Sequence, residues 1–244
     1  MRVVFHPQFT EVYDSDPAAA PGRMESVLEA LEDRYPLITA EAATEEDLLL
    51  VHRPEHVARV RERRRLYEIA VLAAGGAIKA ATLALEGEPA FGLIRPPGHH
   101  ASPNSCWGFC WFNNLAVAVE KLRRQGQVGH VLIVDFDLHY GDGTANAFAG
   151  VPQVRYRHLS GGSRELFFAD LEQCLAGERA DLVAVSAGFD RHEEDWGGLL
   201  KTQDYEAIGR MLRAYGAPVF AVLEGGYNHR VLGRNVRAFL DGLA

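Results

Sequence analysis

The sequence predicts a single α/β domain, residues 1–244, built on a largely parallel open sheet with helices on both faces. Three observations carry that prediction. Six short apolar runs are continuous rather than alternating, the pattern of strands covered on both faces. They are Val3–Phe5, Phe91–Ile94, Val131–Asp135, Val154–Tyr156, Leu182–Ser186 and Val219–Leu223. Longer amphipathic stretches separate them, as in strand–helix–strand units. The chain is long enough to bury one sizeable core, and no Pro-, Gly- or Ser-rich linker divides it.

Taken in order, Gly22–Arg34, Thr44–Leu50 and Pro54–Tyr67 read as helices. Glu68–Leu85 is rich in alanine and stops at Gly87, and Asn114–Gln125 stops at Gly126, glycine being a natural C-terminal cap. Arg164–Ala176, Thr202–Tyr215 and Asn228–Leu240 complete the helical set. The basic run Arg59–Arg65 reads as a solvated helix face.

Composition narrows the function. Hydrophobic residues are 48% and charged residues 24%, which excludes a disordered or collagen-like chain. Lys and Arg number 25 against 33 Asp and Glu, a net charge of −8 that argues against a nucleic-acid backbone as partner. No apolar run reaches about 18 residues, so no transmembrane helix and no membrane partner are expected. The start, Met1 to Pro7, carries no apolar signal-peptide core. With three cysteines, Cys106, Cys110 and Cys174, a reducing cytoplasm is expected. Oligomeric state is not readable from the sequence.

Four apolar runs lead directly into reactive side chains. The run ending at Ile94 enters Arg95-Pro-Pro-Gly-His99-His100, and that ending at Val134 enters Asp135-Phe-Asp137-Leu-His139. The third enters Ser186-Ala-Gly-Phe-Asp190 and the fourth Glu224-Gly-Gly-Tyr227. Open α/β sheets bind ligands outside the carboxyl ends of their strands, so these clusters converge on one rim.

In extended chain, residues two apart point the same way, so Asp137 and His139 can share one cation. Asp135 lies on that side too, as a ligand or as an acceptor behind one. Two ligands hold a metal poorly, and Asp190 is the best-placed third. Two carboxylates and an imidazole suit Zn²⁺ with a fourth position open, while Fe²⁺ or Co²⁺ fits the same donors. Asp135, Asp137 or Asp142 alone would read as a cap or turn residue; the combination argues for a metal.

His99 and His100 follow two prolines and a glycine. A neutral imidazole beside an activated water can act as general base when a carboxylate orients its other nitrogen, and Asp135 and Asp142 are available. Tyr227 offers a hydroxyl to a developing oxyanion, with Gly225 and Gly226 letting the ring swing in. Phe109, after Gly108, reads equally as channel wall or core.

At these residues the sequence resembles the histone deacetylase superfamily, which includes acetoin-utilisation proteins and acetylpolyamine amidohydrolases. The matching stretches are Arg95–Ala101, Gly108–Asn114, Asp135–His139, Gly141–Thr144, Ser186–Asp190 and Glu224–Tyr227, in the family's order. Pro21–Met24 and Val51–His56 are more loosely similar. The resemblance implies an arginase/deacetylase-like fold and a zinc-dependent amide hydrolase. Its substrate would be an N-acyl, foremost N-acetyl, amide of lysine, a polyamine or a related amine. It implies Asp137, His139 and Asp190 as metal ligands and His100, oriented by Asp142, as general base and later acid. His99, paired with Asp135, would act electrostatically, and Tyr227 would hold the oxyanion. Gly108 and Phe109 would line the substrate channel. The two-metal pattern of the arginase branch is not found, so one catalytic metal is expected.

Two departures carry expectations. Tyr140 stands where many relatives have a second histidine and, not being a proposed ligand, is expected to matter little. Residues 151–165 are shorter than the relatives' loop, without a recognisable second aromatic wall or groups for a structural K⁺. The channel is therefore expected to be more open there, with Arg155 or Arg157 supplying the positive charge. A polyamine specialist would place acids at the channel mouth, and Asp14, Asp16 and Glu193–Asp195 are the candidates. The rival reading is a catalytically inactive ligand-binding relative of the same fold, against which the intact polar set argues. A dinucleotide-binding domain would need a Gly-x-Gly-x-x-Gly turn after its first strand, and none is present.

Overall fold

In a computed structural model of the chain, residues 1–31, 34–177 and 179–244 are described. Strand β1 (Arg2–Phe5) pairs with β2 (Leu37–Thr39) on one side and β3 (Ala90–Gly92) on the other. Beyond β3 lie β7 (Val219–Leu223), β6 (Leu182–Ala187), β4 (Val131–Asp135) and β5 (Val154–His158). Every pairing between these strands is parallel. Strands β4, β6 and β7 are buried along their whole length, which is why they read as unbroken apolar runs. The arginase/deacetylase-like α/β class expected from the sequence is the class observed.

Strand β2 leaves no signal in the sequence: it is a three-residue edge strand with two exposed positions, too short and too polar in surroundings to leave an apolar run. Strand β3 ends earlier than expected, since Leu93 and Ile94 stay buried but carry the chain toward Arg95. Strand β5 extends to His158, which lies in register with Asp135.

The helices are α1 (Arg23–Leu31), α2 (Glu45–Leu49), α3 (Pro54–Arg61), α4 (Arg64–Leu85) and α5 (Asn114–Arg124). Then follow α6 (Asp142–Ala147), α7 (Arg164–Leu175), α8 (Thr202–Ala214) and α9 (His229–Leu243). Of the helix predicted over Gly22–Arg34, residues 32 and 33 lie outside the described residues. Helix α4 covers one sheet face, where its Gly76 meets Ile94 and Val4. The other face receives α9, whose Phe239 lies 6.2 Å from Phe91, next in sequence to Gly92 and so pointing oppositely.

Two expectations are corrected. The boundary between α3 and α4 falls at Arg63, whose backbone is non-helical (φ −93°, ψ 70°), rather than at Tyr67. The basic run there is no bare solvated face: Arg61 pairs with Glu45, Arg63 with Asp14 at 2.8 Å, and Arg65 with Glu11. These pairs tie α3 and α4 to other segments, each contributing at most about 1 kcal/mol at the surface. Helix α4 is long and apolar enough, by length and composition, to cross a membrane. In this fold it is a core helix, packed on β1, β3, β7 and α5.

Candidate active site

Strands β3, β7, β6 and β4 are consecutive neighbours in the sheet. The four reactive clusters at their carboxyl ends therefore meet on one rim, as expected from the sequence. The loop after β4 folds on its own carboxylates. Asp135 Oδ1 accepts from the Asp137 N–H at 3.1 Å, and Asp137 Oδ1 from the His139 N–H at 2.9 Å. Across the sheet, Asp137 Oδ2 accepts from the Gly225 N–H at 2.8 Å, and Asp190 Oδ1 from the Leu138 N–H at 3.0 Å. A Cβ on residue 225 would lie 2.6 Å from Asp137 Oδ2 and 2.7 Å from Asp190 Oδ2, so only glycine lets the end of β7 come this close.

Donor atoms of Asp137, His139 and Asp190 lie within 4.8 Å of one another. His139 Nδ1 stands 3.3 Å from both Asp137 Oδ1 and Asp190 Oδ2. Asp190 Oδ2 is buried and makes no hydrogen bond. A buried carboxylate oxygen without a donor is costly, and a cation in the space between these three groups would satisfy it. The electrostatics agree. The nearby carboxylates, Asp137 first and then Asp190, push the His139 imidazole up to about 10. Burial, then the Asp137 charge, pushes the Asp190 carboxyl up. The donor chemistry fits a borderline divalent ion such as Zn²⁺.

His99 and His100 each face a carboxylate. His99 Nδ1 lies 3.1 Å from Asp135 Oδ2, and His100 Nδ1 lies 2.7 Å from Asp142 Oδ1. A carboxylate only accepts, so Nδ1 of each ring carries a proton; Nε2 of a neutral His100 is then left free, while His99 Nε2 lies 3.7 Å from Asp137 Oδ1. Burial would lower His99, but Asp137 and Asp135 outweigh it and hold the ring well above the usual imidazole range. His100 goes the other way: burial and the neighbouring His99 push it down to about 4, against Asp142. Two adjacent histidines thus have opposite proton affinities, the pattern of one electrostatic partner and one base.

Behind them, Glu224 Oε2 accepts from the N–H groups of Gly98 (2.7 Å) and His99 (3.2 Å), and Oε1 from the Ser186 hydroxyl. This buried carboxylate fixes the histidine loop. Tyr156, on β5, donates to Asp135 Oδ2 at 2.9 Å and accepts from the Gly141 N–H at 3.0 Å.

His99, His100, His139 and Tyr227 border a cleft of about 110 Å³, lined also by Phe109, Trp107 and Trp196. Gly108 has φ +58°, and a Cβ there would fall 2.5 Å from His100 Cδ2, so glycine is required for the loop to lie along the imidazole. Phe109 is wall rather than core, its ring 5.9 Å from that of Tyr227. Tyr227 is not loose: its ring stacks on Trp196 at 4.1 Å, and its N–H donates to Asp195 Oδ2 at 2.8 Å.

Several expectations need correction. Trp196 supplies an aromatic wall of the cleft, its ring 6.0 Å from that of His139, and none of the residues bordering the cleft comes from the short 151–165 segment. Arg155 turns toward the Cys174 carbonyl and Arg157 is exposed, so neither supplies charge at the site. The arginine beneath the site is Arg191 instead. The candidate mouth acids are mostly engaged: Asp14 pairs with Arg63, Asp16 caps Ala19, Glu194 pairs with Arg234, and Asp195 holds Tyr227 and Asn228. Tyr140 lies exposed against Tyr156 and His158, away from the cleft lining. Trp107 joins the site without any motif to signal it. Its Nε1–H donates to Asp142 Oδ2 at 2.9 Å, and its ring lies 3.8 Å from that of His100.

The fold and this constellation define an α/β protein of the arginase/deacetylase type. A profile of the histone deacetylase domain matches residues 18–167 and 161–243, and the chain belongs to that family. A probable deacetylase of Methanothermobacter thermautotrophicus is 33% identical over an alignment covering 91% of this chain and 84% of its own. An acetylpolyamine amidohydrolase of Mycoplana ramosa is 31% identical over 73% of this chain and 63% of its own. A histone deacetylase-like amidohydrolase of Pseudomonas aeruginosa is 39% identical over 84% of this chain and 70% of its own. Among solved structures, the HD domain of HDA15 superposes with a TM-score of 0.88 at 25% identity, covering all of this chain and 90% of that one.

Proposed function

We propose that this protein hydrolyses N-acylated amines, foremost N-acetyl amides of lysine, polyamines or related amines, at a single divalent metal ion, Zn²⁺ before Fe²⁺ or Co²⁺. The observation that carries the reading is the unpartnered Asp190 Oδ2, set with Asp137 and His139 opposite a histidine pair of divergent proton affinity. The relatives named as deacetylases and amidohydrolases support the reaction class.

In this reading Asp137, His139 and Asp190 hold the ion, which when bound supplies Lewis acidity toward a carbonyl and a water. His100 Nε2, free of protein partners and neutral, takes the proton of the attacking water. Asp142 receives the Nδ1–H bond and steadies the imidazolium that forms. His99, kept cationic by Asp135 and Asp137, adds positive charge beside the reacting centre. The Tyr227 hydroxyl stays protonated, since burial first and then the Asp137 charge raise it well above its usual value. It donates to the oxygen of the tetrahedral species. His100 then protonates the leaving amine.

The slim cleft between Phe109, Trp107 and Trp196 suits an acyl group on a methylene stem. The free thiols of Cys106, Cys110 and Cys174 fit a reducing cytoplasm. The test is metal analysis paired with a panel of acetyl-lysine peptides and acetylated polyamines. Bound metal with turnover is expected; bound metal with no turnover across the panel would favour the inactive binding relative.

A further inference from the structure

Beneath the proposed ligand set lies a buried arginine that the hydrolytic machinery does not use. Arg191 follows Asp190 and is 5% exposed. Its Nε–H donates to the carbonyl oxygens of Phe136 (3.2 Å) and Asp137 (3.1 Å). Its Nη2 donates to the Leu159 carbonyl at 2.6 Å and, more weakly, to that of Leu138 at 3.4 Å, with His158 Nε2 at 3.3 Å. The ring of Phe167 lies 5.7 Å from the guanidinium.

Three of these acceptors are consecutive carbonyls of the loop that carries Asp137 and His139; the fourth follows β5. Main-chain oxygens turned toward one point repel each other unless a cation sits among them. Guanidinium is suited to this: it is always charged, offers donors in a planar fork and has no acceptor of its own. Asp190, Asp137 and Asp135 all surround it with negative charge. A structural K⁺, which the family resemblance raises, does not fit among these four carbonyls, because each already accepts from Arg191.

We propose that Arg191 is a built-in cation: its guanidinium gathers the Phe136, Asp137, Leu138 and Leu159 carbonyls and holds the Asp137–His139 loop in ligating geometry without any monovalent ion. Arg191 is thus a positioning residue, acting through the loop rather than on substrate. The metal arm of the test rests on the proposed ligand set, and the unfolding arm does not.

The unfolding midpoint and the zinc affinity of the metal-free full chain are measured in potassium, sodium and choline chloride at one ionic strength. The proposal expects the same values in all three. In Arg191→Ala, zinc affinity should fall by about 10- to 100-fold, the scale for losing a supporting group behind a metal ligand. Millimolar guanidinium or potassium, but not choline, should restore it. A saturable, potassium-specific rise in the wild-type midpoint would overturn the proposal even if Arg191→Ala fails to fold. So would a variant with unchanged zinc affinity, or one whose loss neither cation repairs. A wild-type chain that never takes up zinc would sink the ligand set instead, and the cation series on unfolding would then decide the role of Arg191 alone.

Discussion

The 2.7 Å contact between His100 Nδ1 and Asp142 Oδ1 sets the pH behaviour of the proposed base. Burial pushes His100 down to about 4, and Asp142 opposes this. The base form therefore persists through neutral pH and is lost as pH falls toward that value. Removing the Asp142 charge takes away a force that raises the pKa. Asp142→Asn should move the acid limb of kcat/KM to lower pH while lowering the plateau, because the imidazolium loses its partner; an acid limb that moves up would contradict the assignment. Tyr227→Phe should cost on the order of 100-fold in kcat, the scale for a lost oxyanion donor, and near-full activity would remove the role. The residues with spaced, motif-borne chemistry are legible in the sequence: Asp-x-Asp-x-His, the histidine pair and the Gly-Gly-Tyr each announce themselves along the chain. Trp107, Trp196 and Arg191 are not, for a physical reason. Each gains its role from partners distant in sequence: Trp107 donates to Asp142, Trp196 stacks on Tyr227, and Arg191 binds carbonyls on the far side of β6. Neither periodicity nor spacing encodes such contacts.

At the scale of elements, the buried strands declare themselves because both faces are covered, whereas β2 does not, since two of its three side chains are exposed. The α3–α4 break is hidden in the sequence because Arg63 leaves helical geometry while its charged neighbours keep helical composition. Helix α9 holds the far face of the sheet through Phe239, which packs on Phe91, Phe136 and Phe189. Phe136 and Phe189 each precede a proposed metal ligand, so this packing supports the site from below. Phe239→Ala should destabilise the fold by about 3–5 kcal/mol, the cost of a large core deletion. Denaturant unfolding checks it; a loss under about 1 kcal/mol would show that the cluster collapses freely or carries little load.

For the molecule as a whole, four polar clusters at four strand ends foretell one site, and the strand order makes those four strands neighbours. Adjacency cannot be read from the chain, where β3 and β7 are far apart; parallel pairing and the switch in strand order supply it. The same topology completes the cleft lining, with the loop after β6 bringing Trp196 against His139 and Tyr227. The proposed chemistry requires one metal ion per chain, held by residues that follow β4 and β6 and needed for amide cleavage. The direct measurement is metal content and acetyl-amide hydrolysis of the same preparation, before chelation, after it, and after zinc is returned. The reading predicts one zinc per chain, joint loss of metal and turnover, joint recovery, and an Asp190→Asn variant that recovers neither. Hydrolysis that continues undiminished in the stripped protein would contradict it.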